Sequence, residues 1–212
     1  MASGIGLETS KAFAQAGVAK LVLLARSQGP MSEAKKDVEA ASSSTKVETS
    51  AASITHTSRI NEIVKSIGRI DFLVLNAATM PKPGAVLDID PNELDSTYAV
   101  TVYGPLNLIK AFHALPDDDK ANPRTILYAS TAGVTSSMAG TGVDNSSKLA
   151  IAFLMHALND ELGGMGLRAY AFHPAVAFTP LIRDVLGLKK DSVPYDNNSL
   201  NLFNKHFHIK QS

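Results

Sequence analysis

Cysteine and tryptophan are both missing from this chain of 212 residues. The first absence excludes disulfides, thiolate nucleophiles and cysteine-ligated zinc. Neither sign of charge is in excess, since Lys plus Arg and Asp plus Glu each number 20. That balance speaks against nucleic acid and against a polybasic membrane contact as partners. No apolar run approaches the roughly 18 residues of a spanning helix. The opening MASGIGLETSKAF has no basic stretch followed by an apolar one, so no signal peptide is read there and a cytoplasmic location is expected. What remains is a chain with 45% hydrophobic residues. That is too apolar for disorder, and long enough for one domain with a sizeable core.

Helical and strand-like patterns alternate. Ile5–Ala16 reads as a helix, with Leu7, Ala12, Phe13 and Ala16 on one face and Gly17 as its stop. LVLLA at 21–25 reads as a strand buried on both sides. Further helices are expected over Ser32–Ala41, Thr57–Ile67, Asn92–Leu115 and Val143–Leu162. Further strands are expected over Val47–Ala52, Ile70–Leu75, Thr125–Ala129 and Arg168–Phe172, and Asp117–Asn122 reads as a polar surface loop. No repeat or linker divides the chain, so residues 1–212 are read as one domain, with 201–212 as a flexible or interface-forming tail. The alternation implies an α/β fold built on a doubly wound parallel sheet, because crossovers between parallel strands are right-handed. Ligands of such sheets bind beyond the carboxyl ends of the strands. The loops after Ala25, Ala52, Leu75, Ala129 and Phe172 are therefore where chemistry is sought.

Those loops carry distinctive text. Ser3-Gly4-Ile5-Gly6 opens the first helix, LVLLARS ends on Arg26 and Ser27, and DFLVLNAA carries Asn76-Ala77-Ala78. ILYASTAG carries Ser130, GTGVDNSSKLA carries Asp144 and Lys148, and FHPAVAFTP ends on Thr179-Pro180. In this order and spacing the six segments resemble the glycine loop, the strand end that carries a basic residue in NADP-preferring members, the NAG segment, serine strand, YxxxK helix and PG loop of the short-chain dehydrogenase/reductase family, fungal members in particular. The resemblance covers roughly residues 3 to 200 and implies a Rossmann-like fold. Two departures stand at the ends. Met1 falls inside the glycine loop, so the first strand of the family is expected to be missing, and the chain reaches Ser212 before the family's final strand. Sheet edges left in this way are expected to be covered by dimerisation or by a rearranged N-terminus.

The resemblance also implies a dinucleotide. Its pyrophosphate would lie at Gly4, Ile5 and Gly6, where free N–H groups and the helix dipole favour an anion. A glycine cap kept for packing is the alternative. Arg26 stands where NADP-preferring members carry a cation for the 2′-phosphate, or is a plain surface arginine. Asn76-Ala77-Ala78 matches the NAG turn with its glycine replaced, and Ser53 stands where an adenine-contacting aspartate is usual. Thr179 matches the threonine that contacts the carboxamide, or caps a helix opened by Pro180. With half the phosphate loop gone, NADP(H) is expected to bind weakly or not at all.

In the family a serine orients the carbonyl, a tyrosine moves the proton, and a lysine four residues later binds ribose. Ser130 and Lys148 match, but the tyrosine position holds Asp144, and Thr101 stands at the position of a supporting asparagine. Residues i and i+4 share a helix face, so Asp144 and Lys148 are neighbours. A phenol with a pKa of about 10 can be tuned to donate near neutrality, whereas a carboxyl of about 3.9 is ordinarily an anion there. An anion would also stand where hydride transfer creates an alkoxide. Losing a positioned acid costs about 10² to 10⁴ in rate. Asp144, Ser130 and Lys148 are therefore read as the catalytic residues of a non-redox enzyme on this scaffold, an isomerase, cyclase or lyase with Asp144 as base. Its substrate is expected to be a small, mostly apolar metabolite, as in fungal secondary metabolism. The competing readings are an NADPH-dependent carbonyl reductase with an altered proton path and a catalytically silent binding or oligomer-forming protein. A homodimer through 92–115 and 143–162 is expected. Tyr103 and Tyr128 are spare phenols or packing residues, and His173 is a loop histidine or a base. His206 and His208 are read as solvated, with no metal site. Tyr195, Leu200, Leu202 and Phe203 are read as a substrate lid or a dimer contact.

Overall fold

The short apolar runs form strands and the segments with helical spacing form helices, in the expected alternation. A computed structural model describes residues 2–116, 122–135, 139–174 and 179–185. In chain order the elements are α1 (Gly4–Gln15), β1 (Lys20–Ala25), α2 (Gln28–Ala41), β2 (Lys46–Ala51), α3 (Thr57–Ile67) and β3 (Phe72–Leu75). There follow α4 (Pro91–Tyr98), α5 (Gly104–His113), β4 (Arg124–Ala129), α6 (Gly142–Leu162), β5 (Leu167–Phe172) and α7 (Pro180–Val185). Every ladder is parallel. β1 pairs with β2, and β4 lies between β3 and β5. Among the described residues no ladder joins β1 to β3, so the sheet has two parts, β1–β2 and β3–β4–β5.

Each part is packed by the helices its sequence pattern supplies. Ala14 of α1 and Ala34 and Val38 of α2 close over Leu23 and Val47. On the opposite side, α3, α5 and α6 place Ile60, Val64, Phe112, Ile151 and Met155 against Leu75, Ile126 and Tyr128. Leu24 of β1 joins this larger core, so the two parts of the sheet share it. Full burial of such side chains stabilises by about 1.5–3 kcal/mol each.

Several boundaries differ from expectation. α2 begins at Gln28, ahead of Ser32, because Pro30 falls in the first turn, where its missing N–H costs nothing. β3 begins at Phe72 rather than Ile70. The long helix over 92–115 is broken. Its first part, α4, is capped by Asp90, whose Oδ1 accepts the Asn92 N–H at 2.9 Å. A π-turn over Ala99–Tyr103 then leads into α5. Pro105 cannot donate to the Thr101 carbonyl, and the wider turn accommodates that lost bond. A Cβ at Gly104 would come within 2.5 Å of Ile54, so α5 packs on that side chain through bare backbone.

The outer side of β5 is partly occupied by a side chain. The Ala169 N–H donates to Oδ1 of Asn159 at 2.8 Å, and Nδ2 of Asn159 donates back to the Ala169 carbonyl. Asn159 thus stands in for a further strand at that residue. Among the described residues no helix is long and apolar enough to cross a membrane. The expectations for residues 117–121, Tyr195, Leu200, Leu202, Phe203, His206, His208 and the tail 201–212 lie outside the described residues.

Candidate active site

Within each part of the sheet, the carboxyl ends of the parallel strands lie along one edge, and the candidate residues follow them. Arg26 is exposed directly after β1. Asn76 is half-buried and Ala77 exposed directly after β3. Ser130 is buried directly after β4, fastened by its backbone N–H to the Phe172 carbonyl at 2.8 Å. His173, after β5, is exposed.

Gly4, Ile5 and Gly6 form the start of α1. Ser3 precedes them in extended conformation and offers no side-chain cap. Gly4 has φ of +54°, a left-handed conformation that suits glycine. A Cβ there would lie 3.2 Å from Cγ2 of Thr179, so Gly4 and Thr179, distant in sequence, meet. The Thr179 hydroxyl accepts the Ile182 N–H at 3.3 Å and its carbonyl accepts the Arg183 N–H at 2.9 Å. Thr179 therefore caps α7, the role left open as an alternative by the sequence.

The catalytic candidates converge where α6 begins. Asp144 lies in its first turn, where the dipole favours an anion. It is 5% exposed, and its Oδ2 receives the Lys148 ammonium at 3.2 Å. Oδ1 of Asp144, Oγ of Ser130 and Oη of Tyr128 are all buried without a hydrogen-bond partner. Tyr128 and Ser130, two apart at the end of β4, project to the same side of the sheet. Burial, and then the charge of Asp144, push the Tyr128 phenol well above its ordinary pKa, so it stays a neutral O–H. Thr101, inside the π-turn packed on α6, is fully buried with its hydroxyl also unpartnered. The turn after Ser130 is set by sterics. The Gly133 N–H donates to Oγ1 of Thr131 at 3.3 Å, and a Cβ at Gly133 would overlap the Asn145 amide.

The structure thus joins Asp144 to Lys148 and Gly4 to Thr179. Arg26 stands exposed at the end of β1. Tyr103 is exposed, while Tyr128 is a core residue whose buried hydroxyl feels Asp144. That coupling has no signature in the sequence, because a tyrosine inside an apolar strand reads as packing. Among the described residues no group of His, Asp or Glu could hold a metal ion.

Residues 1–186 match the family model described as short chain dehydrogenase. The chain belongs to the short-chain dehydrogenase family. It is 32% identical over 182 residues to the short chain dehydrogenase/reductase AacuD of Aspergillus aculeatus, covering 86% of this chain and 63% of that protein. It is 31% identical to the short chain dehydrogenase/reductase nsrO of Aspergillus novofumigatus, with 94% and 69% covered. The chain therefore spans only 63% and 69% of the lengths of these two relatives. Levodione reductase superposes with a TM-score of 0.83 at 19% identity, over 98% of this chain and 79% of that one. A 3-ketoacyl-(acyl-carrier-protein) reductase from Brucella melitensis, complexed with NADH, gives 0.78 at 22% identity, over 88% and 78%. At such identities the likeness shows a shared Rossmann-type fold.

Proposed function

We propose that this chain is a non-redox enzyme of the short-chain dehydrogenase family, an isomerase or cyclase acting on a small, mostly apolar carbonyl compound. Asp144 carries the reading. One of its oxygens is held by Lys148 and the other is buried without a partner, on the helix turn where relatives place their proton-transfer group. A carboxylate held in this way can take a proton from the carbon beside a carbonyl. The C–H electron pair becomes a C=C bond, and the carbonyl becomes an enolate whose oxygen is met by the Ser130 O–H. Where the substrate has a C=C bond next to that carbon, the enolate is a dienolate, and return of the proton to the far end of that bond moves the double bond into conjugation with the carbonyl, an isomerisation with no change of oxidation state. Lys148 acts by holding Asp144. Because Asp144 is 5% exposed, a local opening admits the substrate and belongs to the cycle.

A second reading is NADP(H)-dependent carbonyl reduction, and the meeting of Gly4 with Thr179 supports it. Gly4, Ile5 and Gly6 would take the pyrophosphate, Arg26 the 2′-phosphate and Lys148 the ribose. Asn76, Ala77 and Thr179 would line the nicotinamide side, and the cofactor would supply hydride. The fit is partial. The Lys148 ammonium is engaged by Asp144, and the Thr179 hydroxyl by the α7 cap. Weak nucleotide binding follows, and a sub-micromolar Kd for NADPH by titration calorimetry would overturn it.

One substrate panel, run with and without NADPH, separates the readings. Asp144→Asn should lose the non-redox activity by about 10² or more with the fold intact, because an amide cannot take the proton. Retention of parental activity would show that Asp144 is not the base. NADPH oxidation that appears in Asp144→Tyr would favour the second reading.

A further inference from the structure

The segment between β3 and α4 crosses the start of α6. Residues 79–90 include Pro81 and Pro83 and form no regular element beyond a short 3-10 turn over Val86–Asp88. The Gly84 N–H donates to the Gly140 carbonyl at 3.1 Å, which ties this strap to the loop that opens α6. Bare glycines seat it. A Cβ at Gly140 would lie 3.2 Å from Cβ of Pro83, and one at Gly142 would lie 3.2 Å from Cγ2 of Val86. Gly142 begins α6, and Asp144 follows in the same turn. Toward α4 the strap is held by the Lys82 N–H, which donates to Oε1 of Glu93 at 3.1 Å. Its outer surface is thinly built, since Val86 and Leu87 are both exposed, Leu87 at 97%.

We propose that this strap is the gate of the Asp144 site, lifting from Gly140 and Gly142 to admit substrate and closing again over it. The proposal rests on the reading of Asp144 as the base, because it names the segment whose opening a carboxylate 5% exposed requires. The way the strap is seated favours it as the moving part. At Gly140 and Gly142 it meets backbone, with no side chain from those residues to interlock. Neither apolar core draws a residue from 79–90, so the strap can lift without opening either core. The closed state also keeps two oxygens dry. Oγ1 of Thr79 in the strap and Oδ1 of Asp144 are both buried without a partner. Opening gives each of them water, which offsets loss of the bond between Gly84 and Gly140.

An engineered disulfide tests the gate in a chain that has no cysteine of its own. In Val86→Cys with Gly142→Cys, the separation of 3.2 Å matches the distance of about 3 Å from a Cβ to the far sulfur of a disulfide. Carboxyl groups are then labelled with a carbodiimide and glycinamide, and Asp144 is read by peptide mass spectrometry against exposed Asp160. Oxidation of the pair should slow labelling of Asp144 relative to Asp160 about tenfold or more, and dithiothreitol should restore it. Gly84→Pro removes the N–H that ties the strap, at a position where an added Cβ meets nothing within 4 Å. It should speed labelling of Asp144 about threefold or more, with the circular dichroism spectrum unchanged. A pair that does not oxidise would overturn the gate, because the strap would then not be seated on Gly142. Labelling of Asp144 that is indifferent to oxidation, or to Gly84→Pro, would overturn it as well. These rates are read without turnover, so a failed gate is told apart from a failed base.

Discussion

Tyr128 packs as one of its two sequence readings allowed, and what the pattern does not record is the state of its hydroxyl. Its ring belongs to the core, yet its hydroxyl finds no partner there. A buried unpaired hydroxyl costs about 1–3 kcal/mol. Tyr128→Phe removes that cost while keeping the ring, so it should stabilise the protein by about 1 kcal/mol at neutral pH. A second readout follows from ionisation. Burial and Asp144 raise the folded phenol's pKa, whereas an unfolded tyrosine ionises near pH 10. The folded state thus holds a proton that the unfolded state gives up, and stability falls as pH rises past about 10. Denaturant titrations across that range should show a shallower fall in Tyr128→Phe than in the parent. Equal slopes would mean that Tyr128 ionises as freely in the fold as outside it. The neighbouring residues divide by the kind of information they carry. Asp144 beside Lys148 was legible because i, i+4 spacing is a property of the chain itself. The unpaired state of Tyr128, Ser130 and Thr101 was not, since it depends on what packs over each atom from elsewhere. The clash that keeps Gly133 a glycine, against Asn145, is likewise a contact between separate elements.

Among the elements, β1 and β2 depend on an ionic pin as well as on their ladder. Glu48 receives Lys46 at 2.7 Å and Lys20, from the neighbouring strand, at 2.9 Å. Hydrogen bonds from Lys46 and then Lys20 hold its carboxyl down at about 2. A free glutamate titrates near 4.3, so the contribution is present above that pH and is lost as pH falls through about 2. Glu48 lies at the surface and is only partly covered, so salt screens the effect. Urea midpoints of the parent and Glu48→Gln should therefore differ most near neutral pH in low salt. They should converge on acidification and on adding salt, and a difference indifferent to both would exclude the pin. Element types were largely readable beforehand, because alternating apolar runs and helical spacing are local. Breaks within elements were less so. The apolar spacing runs on through 92–115, and only the meeting of Pro105 with the Thr101 carbonyl forces the π-turn. The division of the sheet between β1 and β3 is a matter of pairing partners, which no single strand records.

The whole molecule presents an apolar surface on the helices. Leu149 and Phe153 sit one turn apart on α6 and are both well exposed, Phe153 at 70%. Tyr103, also exposed, ends the π-turn against which α6 packs. A large apolar side chain left in water on a helix, with an apolar neighbour at i+4, is what a self-complementary contact uses as its anchor. A twofold axis across α6 would set Phe153 of one copy near Leu149 of the next, as a symmetric interface requires residue i to meet j and j to meet i. We therefore propose a homodimer through α4, α5 and α6. Light scattering at micromolar concentration should give twice the 22.4 kDa chain mass. Phe153→Glu should return the monomer, because a carboxylate would then have to be buried unpaired against Leu149 of the other copy, while the far-ultraviolet spectrum stays that of the parent. A parent protein that is monomeric at that concentration would leave Phe153 without a partner and remove the dimer. A Phe153→Glu protein that still dimerises would move the interface off α6.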